Sequence, residues 1–84
     1  MTQIRNEQLI HAIALVFKQL REGSGVSQEK VMDDLKIDKE LSIHLGRIET
    51  AKTNPRISTI DALCNYYGIS LSEFFILVEN AISK

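Results

Sequence analysis

The sequence predicts an all-α fold, a compact single domain of five helices, and three observations carry that expectation. Apolar residues recur at three- and four-residue spacings along most of the chain. Gly23, Gly25, Gly68 and the Asn54-Pro55 pair cut it into helix-sized stretches. No alternating run is long enough to compete as a strand.

The first helix is expected from about Arg5 to Glu22, with Leu9, Ile13, Val16 and Leu20 on one face. Gly23-Ser24-Gly25 stops it, because glycine accepts the left-handed dihedrals of a helix C-terminus. Ser27 is then a good N-cap for a short second helix burying Val31 and Leu35, with Val26 stapling its entry. Lys36 and Ile37 fall at the next break. The third helix ends near Thr50 and buries Leu41, Leu45 and Ile48, and its start is open between two caps, Asp38 and Ser42. Asn54-Pro55 forces a loop, since the residue before proline is pushed out of helical dihedrals. Ser58-Thr59-Ile60-Asp61 resembles a capping box for a fourth helix whose stripe is Ile60, Leu63, Cys64 and Tyr67, closed by Gly68. Ser70-Leu71-Ser72-Glu73 is a full capping box for the fifth, which carries Leu71, Phe74, Phe75, Val78 and Ile82.

Composition narrows the function. In 84 residues, 44 % hydrophobic and 25 % charged, there is room for one core and no sign of a disordered chain. The single cysteine, Cys64, allows no internal disulfide and fits a reducing cytoplasm. The apolar stretch from Leu9 to Phe17 is too short to span a bilayer, so no membrane association is expected. His11, His44 and Cys64 lack metal-ligand spacing, no nucleophile–base pair stands out, and Gly23 and Gly25 do not form a phosphate loop. Neither cofactor, metal, small-molecule ligand nor catalysis is expected. The net charge is −1, unlike that of a strongly basic nucleic-acid binder. Residues 36–56 nevertheless hold Lys36, Lys39, Arg47, Lys52 and Arg56 against Asp38, Glu40 and Glu49, a local positive excess.

The second and third helices form a pair joined by a tight turn, the geometry that presents one helix to a DNA major groove. Five segments in order sharpen this: Ser27-Gln28-Glu29-Lys30-Val31, Gly46-Arg47-Ile48-Glu49, Lys52-Thr53-Asn54-Pro55, Ile57-Ser58-Thr59-Ile60 and Gly68 to Phe75. Together they resemble the Cro/phage-repressor (XRE-like) helix-turn-helix family over roughly residues 14–76. The resemblance implies a lambda-repressor-like domain, a transcriptional regulator that binds double-stranded DNA, with a palindromic operator for a homodimer. Ser42, Ile43, His44 and Arg47 become candidate base contacts. Arginine can bond guanine in bidentate fashion, and an apolar side chain can touch a thymine methyl. Gln28, Lys39, Lys52, Thr53, Asn54 and Arg56 become candidate phosphate contacts. The resemblance also implies an ion pair between Arg21, at the end of the first helix, and Glu49, at the end of the recognition helix.

Two departures matter. Between Gln28 and Glu49 the chain is about three residues longer than the family's usual spacing for this motif. The insertion falls around Ile37 to Leu41, and is accommodated either by a longer turn or by a recognition helix extended from an Asp38 cap. The extended helix is the slightly favoured reading, and it would bring Lys39 and Glu40 toward DNA. The family's glycine after the recognition helix is here Ala51, so a differently shaped corner is expected. The last helix has more apolar residues than one buried stripe needs, which makes Phe74, Phe75, Leu77 and Val78 a candidate dimer interface. The alternative function is a protein-interaction module on the same scaffold, antitoxin-like, with little or no DNA binding.

Overall fold

The computed structural model describes residues 5–83. Five helices follow one another, α1 (Glu7–Ser24), α2 (Gln28–Lys39), α3 (Leu45–Glu49), α4 (Ile57–Tyr67) and α5 (Leu71–Ser83), with no strand among the described residues. The Asn6 side chain caps α1 by accepting the Leu9 N–H at 3.0 Å. The helix runs two residues past the expected end, through Gly23, and stops where Gly25 turns left-handed at φ 73°. Ser27 caps α2 as expected, its hydroxyl accepting the Lys30 N–H at 3.0 Å.

The insertion lengthens α2 and not the recognition helix. Lys36 to Lys39 contain no breaker, so α2 continues through the expected break at Lys36 and Ile37. It closes where Glu40 adopts φ 53° and the Leu41 N–H reaches back to the Leu35 carbonyl at 3.2 Å. That is a Schellman closure with glutamate where glycine is usual. Asp38 therefore lies inside α2 and caps nothing, and residues 41–44 are non-helical. Ser42 does not cap α3 either: His44 stands at that position without a side-chain hydrogen bond. Ala51 also departs from expectation, keeping the left-handed corner at φ 60° despite its methyl group. Burial of that methyl against Ile10 and Ala14 offsets part of the strain. At α4 the expected Ser58 box is not used. Arg56 occupies the cap position, its carbonyl accepting the Ile60 N–H at 3.0 Å. Ser70 opens α5 as expected, accepting the Glu73 N–H and donating to the Glu73 carboxylate.

The core lies where α1 packs on α5, α4 and α3. Phe17 stacks on Phe74 with ring centroids 4.4 Å apart. Val31, Leu45, Leu63 and Val78 close around them. Cys64 is a core filler, and burial pushes its thiol up to about 11, which leaves it protonated and poorly nucleophilic at neutral pH. A second tie joins α2 to α4: the Tyr66 hydroxyl donates to Asp34 at 2.6 Å, beside Lys30.

This packing corrects the dimer assignment at two positions. Phe74 and Val78 are each 0 % exposed, because α5 turns that stripe onto α1 to complete the monomer's own core. Phe75 is half-buried, edge-on to Phe74 at 5.1 Å. Leu77 is 41 % exposed and Ile76 57 %. Phe74→Ala is accordingly expected to cost about 3–5 kcal/mol, read by urea denaturation, with a loss independent of protein concentration. Leu77→Ala is expected to leave monomer stability within about 0.5 kcal/mol. A concentration-dependent loss in Phe74→Ala would return that residue to an interface.

Candidate nucleic-acid interface

A five-residue helix has one turn of hydrogen bonds and no stability of its own. What holds α3 is its inner face and its last residue. Leu45 and Ile48 are buried in the main core, and Glu49 is a buried acid, its side chain 2 % exposed. Arg21, in the last turn of α1, donates Nε to Glu49 Oε2 at 2.8 Å and Nη2 to Glu49 Oε1 at 3.1 Å. Its Nη1 also donates to the Val26 carbonyl at 3.0 Å, so one guanidinium joins α1, the loop before α2 and α3. The carboxylate raises the Arg21 pKa above its ordinary value, and the planar fork matches both carboxylate oxygens.

Gln28 completes this cluster, and here its expected role changes. Its amide Nε2 donates to Glu49 Oε1 at 3.0 Å. It lies so close over α3 that a methyl added at Gly46 would meet its Oε1 at 3.4 Å. The side chain assigned to a phosphate from sequence thus binds inward and ties the first residue of α2 to the last of α3. A carboxylate oxygen can accept more than one hydrogen bond, so Glu49 Oε1 holds the Gln28 amide beside the Arg21 guanidinium. The Tyr67 hydroxyl is buried in the same region, with no hydrogen-bond partner among the described residues. Burial and the nearby Glu49 charge push its pKa well above the ordinary phenol value.

Outward from this anchor the chain is polar and open. Ser42, His44 and Arg47 are exposed, and Ile43 is half-buried with its side chain packed against the core. The first three of the four residues expected on the recognition helix therefore sit in the non-helical segment before it, and only Arg47 lies on α3. All four line one shallow depression together with Thr53, Asn54 and Arg56 from the α3–α4 connection. Leu41, Ile48, Pro55 and Thr59 complete its lining. Lys39, in the last turn of α2, and Lys52 are exposed but lie outside that lining. Sequence reasoning missed Leu41, Pro55 and Thr59 here. No residue-type signal marked them, because their roles follow from the left-handed corners at Glu40 and Ala51. The corner at Ala51 is held by hydrogen bonds at and beside it. Lys52 N–H returns to the Arg47 carbonyl at 2.9 Å, and Arg5 Nη2 donates to the Ala51 carbonyl at 3.3 Å.

A short helix anchored inward by a buried ion pair, with the exposed Arg47 on its other face and a polar segment before it, is the arrangement of a helix-turn-helix domain of DNA-binding regulators. The family model for the helix-turn-helix domain matches residues 12–74, and the chain belongs to that family, one of the XRE/Cro-like group. No curated protein and no solved structure matches the chain significantly.

The anchor can be tested without DNA. Arg21→Met leaves Glu49 buried without its cation and is expected to destabilise the fold by about 3 kcal/mol, the low end for a broken buried pair. The double variant Arg21→Met/Glu49→Leu is expected to recover most of that loss in urea denaturation, since no charge is left buried alone. Simple additivity of the two single-variant losses would show that the pair is not coupled.

Proposed function

We propose that the chain is a sequence-specific DNA-binding transcriptional regulator that represses by occupying its site. The segment from Ser42 to Arg47 enters the major groove. Arg47 reads guanine through O6 and N7, Ile43 meets a thymine methyl, and Ser42 and His44 supply further base-edge bonds. Lys52, Thr53, Asn54 and Arg56 hold the flanking phosphate backbone, with Lys39 at the margin. Gln28 acts through Glu49 as a positioning residue. The observation that carries this reading is the polarity of α3: one face is anchored by Leu45, Ile48 and Glu49, and the opposite one presents the exposed Arg47, which enters no ion pair among the described residues.

Two copies bind together in this reading, joined through Leu77 and Ile76 with the edge of Phe75. Two-fold symmetry would set the reading segments about 34 Å apart on a palindromic operator. The exposed apolar side chains of α5 and the acidic overall balance also suit the second reading, a protein-interaction module of the antitoxin kind. DNA separates the two: selection of bound sequences from a random duplex pool should enrich a palindrome, and no enrichment over input would remove the regulator reading.

Two substitutions divide the roles. Arg47→Ala is expected to cost about 1–3 kcal/mol at the selected site and to relax base preference at one position per half-site. An unchanged preference would take Arg47 out of the readout. Lys52→Ala is expected to weaken all duplexes about equally and to flatten the slope of log K against log salt by about 0.9 per copy. A loss confined to the selected sequence would contradict the clamp role.

A further inference from the structure

Side chains that read a duplex reach down between groove walls, so a reading surface gains contact by being convex. Here the residues around Arg47 instead surround an open depression of about 340 Å³. That volume falls at the small end of the range for small-molecule sites, and far exceeds what one thymine methyl or one phosphate oxygen fills. Its lining is mixed: Leu41, Ile43, Ile48 and Pro55, all buried or half-buried, supply an apolar part, and the half-buried Thr53 and Thr59 lie beside them. Its margin carries the exposed Arg47 on α3 and the exposed Arg56 at the start of α4, and no acidic side chain lines it. Neither guanidinium enters an ion pair among the described residues.

The walls are set by the fold. Ile48 belongs to the core, Leu41 and Ile43 pack against it, and left-handed residues stand before and after this part of the chain. The lining selects a chemistry. Inorganic phosphate would satisfy the cations and leave the apolar surface bare. A neutral apolar molecule would cover that surface and leave two guanidinium groups with no partner. An anion with an apolar body satisfies both. We infer that the depression is a binding site for a small organic anion, a phosphate or carboxylate on an aromatic or aliphatic body, and that its occupant displaces DNA. The displacement, though not the site itself, rests on the DNA-binding reading above.

Phenyl phosphate is a suitable probe, titrated into the isotopically labelled full chain, with inorganic phosphate and phenol as separate arms at matched ionic strength. Phenyl phosphate is expected to shift the amide resonances of Ser42, Ile43 and Thr53 saturably, with each of its two halves binding about tenfold more weakly or worse. Arg56→Ala and, independently, Arg47→Gln should each weaken phenyl phosphate by about tenfold while leaving the resonances of α1 and α5 in place. Equal binding of inorganic phosphate would reduce the site to a phosphate clamp and overturn the proposal, as would shifts that never saturate. In fluorescence anisotropy with a selected duplex, phenyl phosphate should release DNA while inorganic phosphate at the same ionic strength does not. Saturable binding with the duplex retained would overturn the displacement. Saturable binding by a chain that holds no duplex would overturn the DNA reading and leave the ligand site standing.

Discussion

The contact between Arg21 and Glu49 is the constraint on which the arrangement of this molecule turns. A reading element has opposed requirements: its outer side chains must be free for a partner, yet its backbone must not move when they engage it. With five residues, α3 cannot meet the second requirement through its own hydrogen bonds. Two apolar side chains, Leu45 and Ile48, fix its depth in the core. Apolar contacts are non-directional, however, and permit rotation about the helix axis. The bidentate geometry of Arg21 on Glu49 removes that freedom, because a planar fork meets a planar carboxylate in few orientations. Gln28, bonded to the same carboxylate, extends the lock to α2. Relative to a well-packed apolar substitute, such a cluster adds little to stability. Its return is orientation.

That lock also explains how the chain tolerates its inserted residues. Because α3 is anchored at its C-terminal end, extra length upstream need not displace it. It is absorbed by α2, which gains its last turn, and by a non-helical link over residues 41–44. The connection turns on Glu40, a non-glycine residue held left-handed at a cost of about 1–2 kcal/mol. The Schellman bond from Leu41 to Leu35 and the burial of Leu41 beside it offset that cost. A link of this kind sets back part of the reading surface, so that the same feature that accommodates the insertion creates the concavity beside Arg47.

The unequal legibility of the sequence follows from the same physics. Elements closed by their own residues could be read directly: Ser27 and Ser70 cap the helices they precede, and Gly25 and Gly68 end the helices before them. The start of α3 could not, because Asp38 and Ser42 are both good caps in isolation, and the left-handed closure at Glu40, which contains no glycine, moved the start to His44 instead. The Ser58 box misled for a related reason, since Arg56 can begin α4 from an extended backbone without any side-chain cap. Arg21 and Glu49 were legible only through family resemblance, being 28 residues apart with nothing local to connect them. Gln28 shows the limit of such transfer: the residue type was right for a phosphate, and the neighbouring carboxylate had the prior claim. On α5, periodicity showed a surplus of apolar residues but not which of them α1 would cover.

The charge balance becomes intelligible once the partners of each acid are known. Glu49 is neutralised by Arg21 and buried, and Asp34 is held by Lys30 and the Tyr66 hydroxyl, so neither projects its full charge toward the open face of α3. Each of these pairs cancels one cation as well as one acid, so the formal charge of −1 stands, and what an approaching duplex meets depends on where the remaining charges lie. One copy offers few phosphate-neutralising cations. Counting Lys39, Lys52 and Arg56, about three phosphates would give a slope near −2.7, or only about a fortyfold loss of affinity for a fourfold rise in salt. Doubling the contact set raises that loss to roughly two-thousandfold, in the range of proteins that hold operators at physiological salt. In the two-fold assembly proposed above, a second copy would supply the cations that one copy lacks, an electrostatic gain beside the geometric one.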